Sequence, residues 1–224
     1  MNIERLLKHG LDNLHSEYQS FKEREGFSHV LGVIGGSSTE QVPKYSNFLI
    51  EGCRLTKIRL GKFAIISGGT QGGVPELALD VAKTLRLPTI GVFPQASAKY
   101  AALKKIDFPI SVPPQPLAQV TWGIETPTLV SIADAFVLIG GEWGTNAEVS
   151  MIMKRNSSLA RHGTRLVPII AINGSGKLAD ILEQLTRVFP TSEGTFLKVG
   201  TSTELASMLV QVFGGVVFSL FLQF

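Results

Sequence analysis

Residues 133–153 read A-D-A-F-V-L-I-G-G-E-W-G-T-N-A-E-V-S-M-I-M, and their first third decides the fold. From Ala135 to Ile139 the run is apolar with no charge on either alternate set of positions. That is the pattern of a strand covered on both faces of a parallel sheet. Gly140 and Gly141 end it, Gly144-Thr145-Asn146 follows, and helical spacing resumes with Val149, Ile152 and Met153. Thr145 is the expected cap of that helix, whose first-turn amides stay unpaired and point out of the sheet's carboxyl edge. A strand that ends in glycines and feeds a helix N-terminus is a ready anion site. Glu148 is expected on the first turn of the same helix. Its carboxylate either complements the helix dipole or bonds a ribose hydroxyl or moves a proton, and this stretch alone leaves both open.

Working outward, the alternation recurs along the chain. Strands are expected at 28–34, 63–66, 88–93, 110–112, 135–139, 166–172 and 196–199, with helices at 43–60, about 75–86, 122–133, 145–160, 178–188 and 203–213. Seven strand candidates alternating with helices imply an α/β fold with a Rossmann-like, doubly wound, mostly parallel sheet. Pro75 suits the first helical position, where its missing amide is not needed, and Ser202 or Thr203 is the expected cap of the last helix. Residues 95–121 read differently: Lys99, Lys104, Lys105, Pro109, Pro113, Pro114 and Pro116 leave only 110–112 as a strand. A connection this long is commonly a lid or binding loop, and its lysines read as solvated surface charge. Asn173-Gly174-Ser175-Gly176-Lys177 is a plain strand-to-helix turn, because Leu178 stands where a phosphate-binding loop needs Ser or Thr for Mg²⁺.

The organisation is therefore an amphipathic helix within 1–26, one domain over 27–213 and an apolar tail over 214–224. Ile3, Leu6, Leu7, Leu11, Leu14, Tyr18 and Phe21 recur at three- and four-residue spacing in the leading helix, which covers the sheet or pairs with a partner chain. The tail suits an edge strand or a dimer contact. His9 and His15 have no neighbouring ligand pattern, and neither a metal nor a cofactor is expected. Twenty-one basic against 18 acidic residues, without a basic block, do not imply nucleic acid as a partner. No run reaches the ~18 apolar residues of a membrane span. Cys53 is the only cysteine, which excludes an internal disulfide, places it as a buried, inert thiol and fits a cytoplasmic protein.

Three turns are rich in glycine: Gly35-Gly36-Ser37, Ser67-Gly68-Gly69-Thr70-Gln71-Gly72-Gly73 and Gly140-Gly141-Glu142-Trp143-Gly144-Thr145. Each follows a strand, so all three share one edge of the sheet, where open α/β sheets bind ligands. None carries the G-x-G-x-x-G spacing of an ordinary nicotinamide or flavin site. Tight turning alone accounts for one such turn, and three on one edge point to a nucleotide.

The stretch G-G-E-W-G-T-N-A-E at 140–148 resembles the P-G-G-x-G-T-x-x-E motif of the LOG superfamily, which includes the cytokinin-activating phosphoribohydrolases and proteins called "possible lysine decarboxylase". Residues 32–38 and 67–73 resemble its first and second glycine turns, so the likeness spans about 28–213. It implies a Rossmann-like fold, a homodimer, and a nucleoside monophosphate or related nucleotide over the turns at Gly35, Gly36, Ser37, Gly68, Gly69, Thr70, Gly72, Gly73, Gly140, Gly141, Trp143, Gly144 and Thr145. No pyridoxal-phosphate lysine motif supports the decarboxylase label. The sequence also departs from the pattern. Active members carry an Arg-Lys pair on the helix before the motif strand, and those positions here are approximately Glu125 and Thr126. Ile139 replaces the motif proline, and Glu142-Trp143 replaces a single residue. Glu148 and Thr145 keep their motif positions.

Three functions follow as expectations. The first is nucleotide binding without hydrolysis, as in a sensor, with Trp143 stacking on the base. The second is N-glycosidic hydrolysis of a nucleoside monophosphate, with Glu148 as base or ribose ligand and Glu125 as a replacement acid. The third, an interaction module working through the leading helix and the tail, leaves the glycine turns unexplained.

Overall fold

The chain winds a single sheet outward in one direction, returns to its centre, and winds outward in the other. A computed structural model describes residues 11–37, 42–114, 122–176, 178–179, 181–182, 184 and 195–215. Ser38, Lys177, and the expectations for 3–10, 115–121, 185–188 and the tail beyond Gly215 lie outside the described residues. The strands are β1 (Val30–Gly35), β2 (Ala64–Ser67), β3 (Thr89–Pro94), β4 (Phe108–Val112), β5 (Ala135–Ile139), β6 (Ile169–Ile172) and β7 (Phe196–Val199). They pair in the order β4-β3-β2-β1-β5-β6-β7, and every pair in the sheet is parallel. The Rossmann-like, doubly wound sheet expected from the alternation is what forms. β1 and β5 lie side by side in register, Leu31 against Ala135 through Gly35 against Ile139, so the chain reverses its direction of winding between them.

Helices cover both faces, as the strand runs without alternation require. On one face α1 (Leu11–Glu25), α4 (Thr126–Ile132) and α5 (Trp143–Arg161) bury Phe21, Leu129 and Ile152 against Ile34, Ile66, Phe136 and Leu138. On the other, α2 (Val42–Leu60), α3 (Gly73–Thr84) and α6 (Ser202–Phe213) bury Leu49, Leu77 and Leu209 against Val33, Ile65 and Val137. The leading helix thus covers the sheet: Phe21 stacks on Phe108 of β4 with centroids 4.9 Å apart. Cys53 is fully buried between α2 and the sheet, and burial pushes its thiol up to about 12, the inert state expected of it.

Several boundaries differ from expectation for identifiable reasons. Thr201, not Ser202 or Thr203, caps α6, in a reciprocal capping box with Glu204. Residues 95–112 are not an open lid: two short 3-10 turns (Gln95–Tyr100 and Leu103–Lys105) and the edge strand β4 occupy them. That segment docks onto the second glycine turn through Ala102 N donating to Gly69 O and Gln71 N donating to Tyr100 O, both at 2.8 Å. Lys105, expected as surface charge, is partly exposed and ion-paired, its ammonium 2.7 Å from Glu76 and 2.6 Å from Asp80. Arg155, midway along α5, donates through Nη1 to the carbonyls of Val130 and Ala133 and so ties the far end of α4 to α5.

The centre of the sheet leaves no room at Gly35. A Cβ there would lie 2.3 Å from the Ile139 carbonyl oxygen and 2.8 Å from Val74 Cγ2, and a strand backbone cannot yield as a side-chain end can. Gly35→Ala should therefore cost on the order of 3 kcal/mol, the upper end for overpacking, read as a lower urea midpoint at unchanged slope. An unaltered midpoint would mean that β1 and β5 are not packed as described.

Candidate functional site

The reversal between β1 and β5 opens a crevice at the carboxyl edge of the sheet, the general location of ligand sites in open α/β folds. The three glycine turns reach it from β1, β2 and β5. Gly36 O accepts from Val74 N at 3.0 Å, and a Cβ on Gly73 would fall 2.5 Å from Gly36 O and the Ser37 backbone, so the first two turns are pressed together. Ser37 is exposed at their junction.

An account of the backbone amides separates the turns. In the second, Gly69 N donates to Ser67 Oγ at 3.2 Å, Gly72 N to Glu76 Oε2 at 2.6 Å and Gln71 N to Tyr100 O. The start of α3 is thus already occupied by a carboxylate, lowered from its usual range by the Lys105 hydrogen bond and then by the Gly72 amide. Gly68 borders the turn with only Pro75 near it, and Thr70 bridges to Ala101. The third turn is different. Gly140 and Gly141, at φ of 59° and 111°, swing the chain directly into α5, with Gly140 N donating to the buried Ser175 Oγ at 2.9 Å. The helix begins at Trp143, and Glu142, its N-cap residue, makes no side-chain cap. Among the described residues, the amides of Trp143, Gly144 and Thr145 have no protein acceptor.

This start corrects two expectations. Thr145 is not the cap; it lies third in the helix and is buried, with its side chain against Gly141. Glu148 therefore lies on the second turn, roughly 7–8 Å along the axis from Trp143 at 1.5 Å per residue. Dipole complementarity fades within the first turn, so it accounts poorly for this carboxylate.

Glu125 is the N-cap residue of α4 and accepts from Gly123 N at 2.8 Å; Thr126 beside it is buried. Because α4 packs along α5, Glu125 and Glu148 come within electrostatic reach of each other. Burial first, and the Glu125 charge second, push the Glu148 carboxyl up to about 8. Burial also raises Glu125, opposed by backbone amides including that of Gly123. Burial thus raises both carboxyls, and the charge of Glu125 adds to the cost of ionising Glu148. Among the described residues, no group of three or more His, Cys, Asp or Glu is gathered to hold a metal.

Residues 28–177 match the SLOG cluster4 family. The chain belongs to that family. Solved structures of the same fold include the molybdenum cofactor carrier protein of Chlamydomonas reinhardtii (TM-score 0.59, 19% identity, 84% of this chain and 99% of that one). The protein TM1055 superposes with a TM-score of 0.60 at 18% identity over 82% of this chain and 99% of its own. The molybdenum cofactor binding protein of the phototrophic bacterium Rippkaea orientalis does so at 0.58 and 19% over 83% and 97%. No curated protein sequence matches the chain. No helix among the described residues is long and apolar enough to cross a membrane.

In this SLOG chain the structure brings Gly35, Gly36, Ser37, Gly73, Gly140 and Gly141 to one crevice and sets Glu125 with Glu148. Gly69, Thr70 and Gly72 are engaged within the second turn and its docked segment, and Trp143 stands apart. It is 86% exposed with no ring contact among the described residues, because the helix start points it outward. Sequence reasoning missed Tyr100 and Trp122, each about half exposed and in ring contact with the other at the same edge. Their separation of 22 positions left no local pattern to find.

The raised Glu148 predicts a stability profile. An acid whose folded pKa lies above its ordinary 4.5 stabilises the fold most below that value and loses the contribution as pH rises toward about 8. The slope approaches ~1.4 kcal/mol per pH unit for one such group. Chemical denaturation from pH 5 to 8 should show this fall, and Glu148→Gln should flatten it. An equally steep fall in the variant would move the buried proton elsewhere.

Proposed function

We propose that this chain binds a phosphorylated small molecule of the nucleotide class in the crevice between β1 and β5, and holds it rather than cleaving it. The observation that carries this is the uncapped start of α5 beside Gly140 and Gly141. Its free amides and positive dipole end suit a phosphate, whereas Glu76 fills the start of α3 and the capping box closes that of α6. Membership of the SLOG family supports a small ligand at this edge. Carriers and binders of the molybdenum cofactor share the fold, which makes that cofactor a member of the panel to be tried. A sensor or carrier needs binding alone, and the absence of the cationic pair at Glu125 and Thr126 favours it. The resemblance to LOG proteins also implies a homodimer, to be read by light scattering.

The Glu125–Glu148 pair supports a second reading, N-glycosidic hydrolysis. A neutral acid beside an ionised carboxylate is the arrangement that glycoside cleavage uses to protonate a leaving group and activate water.

Thermal unfolding with nucleoside monophosphates and molybdenum cofactor decides between them. A true ligand at a hundredfold excess over its Kd should stabilise by about 2.7 kcal/mol. Stabilisation without release of free base is the expected outcome. Base release that disappears in Glu148→Gln would establish the hydrolase instead, and no stabilisation by any compound would sink both readings.

A further inference from the structure

The edge of the sheet opposite the crevice is basic. The chain enters its parallel strands there, so α1, α2, α3 and α5 all end at this amino edge. Each carries cations in its last turn: Lys22 and Arg24, Lys57 and Arg59, Lys83, and Arg161. Complementing the helix dipoles accounts for those. It does not account for Lys62 and Arg165, which are exposed in loops past the helix ends. Most acids at this edge are already engaged. Glu25 pairs with Arg24 and Lys62, Asp107 pairs with Lys83, and Asp134 accepts from Val30 N. Glu23 adds one opposing charge, whereas Arg59, Arg86, Arg161 and Arg165 have no acidic partner among the described residues.

An apolar segment leaves the fold at the same place. Phe213, which ends α6, stacks on His29 with ring centroids 4.7 Å apart at 5°, and its centroid lies 5.9 Å from that of Phe63. Helix α6 therefore ends between the starts of β1 and β2. Lys22 and Arg165 lie close enough to bear on the His29 charge, as does Asp134, and Lys62 adjoins Phe63. The chain past Gly215 thus sets out among cations. Residues 216–224 read V-V-F-S-L-F-L-Q-F, seven apolar residues in nine with no charge. Such a run is too short to cross a bilayer but sufficient to enter its interface, and left in water it is an aggregation hazard.

Cations around an apolar segment match an anionic lipid surface, where buried apolar area and charge attraction add. Nucleic acid would satisfy the cations and leave the apolar run in water. A second copy would bring the same positive charge to the contact. We propose that the amino edge of the sheet docks on an anionic phospholipid bilayer. Residues 216–224 enter the headgroup boundary, and Lys22, Arg59, Lys62 and Arg165 meet the lipid phosphates around them. Contact is peripheral, since no helix among the described residues can cross a membrane. The crevice between β1 and β5 opens at the opposite edge and stays clear of the lipid.

The test is sedimentation of the full chain with vesicles of phosphatidylcholine alone and with about one-third phosphatidylserine, which gives a negative surface potential. Binding to the anionic vesicles is expected to be at least ~10-fold tighter than to the neutral ones. It should fall as salt shrinks the Debye length from about 10 Å at 0.1 M to about 3 Å at 1 M. Arg59→Gln and Arg165→Gln should each weaken it about 5-fold, the scale of one basic residue at such a surface, at unchanged melting temperature. Phe218→Ser combined with Phe221→Ser should abolish it. Equal binding to both vesicles, or binding that survives the phenylalanine changes, overturns the proposal. So does a lower melting temperature in the phenylalanine variant, which would pack the segment on its own fold. Absence of vesicle binding overturns it too: an oligomer that the phenylalanine variant dissociates then assigns the segment to a second copy, and retention of a DNA duplex assigns the edge to nucleic acid.

Discussion

At the reversal point of the sheet, the turn after β1 is wedged between the β5 backbone and the start of α3, and no Cβ fits at Gly35 or Gly73. Everything at the carboxyl edge follows from that closeness. β1 and β5 can lie in register only if Gly35 meets the Ile139 carbonyl bare. The chain after Ile139 must then leave the sheet at once, through two residues of positive φ. Glu142, the N-cap residue of a helix entered so abruptly, makes no side-chain cap, and the first amides face the crevice unpaired. The steric demand of the fold and the open polar groups of the site are thus one arrangement.

The electrostatics are divided across the same edge. On the β2 side, Lys105 bridges Glu76 and Asp80 and offsets part of their charge. On the β5 side no basic group accompanies Glu125 and Glu148 in the described hydrogen bonds, and burial raises both carboxyls. The polar groups of one half are paired internally, whereas the first amides of α5 in the other are not.

Most of the sheet was legible because buried parallel strands are written as local apolar runs, and 135–139 needs no context to be read. Helix starts were less legible, since a cap depends on where the backbone turns: Thr145 has the right chemistry, but Gly140 and Gly141 start the helix two residues before it. In 95–112 the strand expected at 110–112 forms as part of β4, at the sheet edge that Pro109 suits, while the two 3-10 turns were not legible because they lack the 3.6-residue period. The nearness of Glu125 to Glu148 is not written in their spacing, since α4–α5 packing sets it. That Glu76 consumes the Gly72 amide could not be read at all, because the residue types fit equally well with an empty turn.

Arg155 gives the crevice a mechanical character. Its guanidinium clasps Val130 and Ala133 at the bottom of α4, about 18 Å down α5 from Trp143 at the helical rise, and far from anything a ligand touches. The two helices that present the carboxyl groups are therefore braced like the legs of a tripod at their feet. The spacing of the carboxyl groups is thereby tied to a contact at the opposite end of α4.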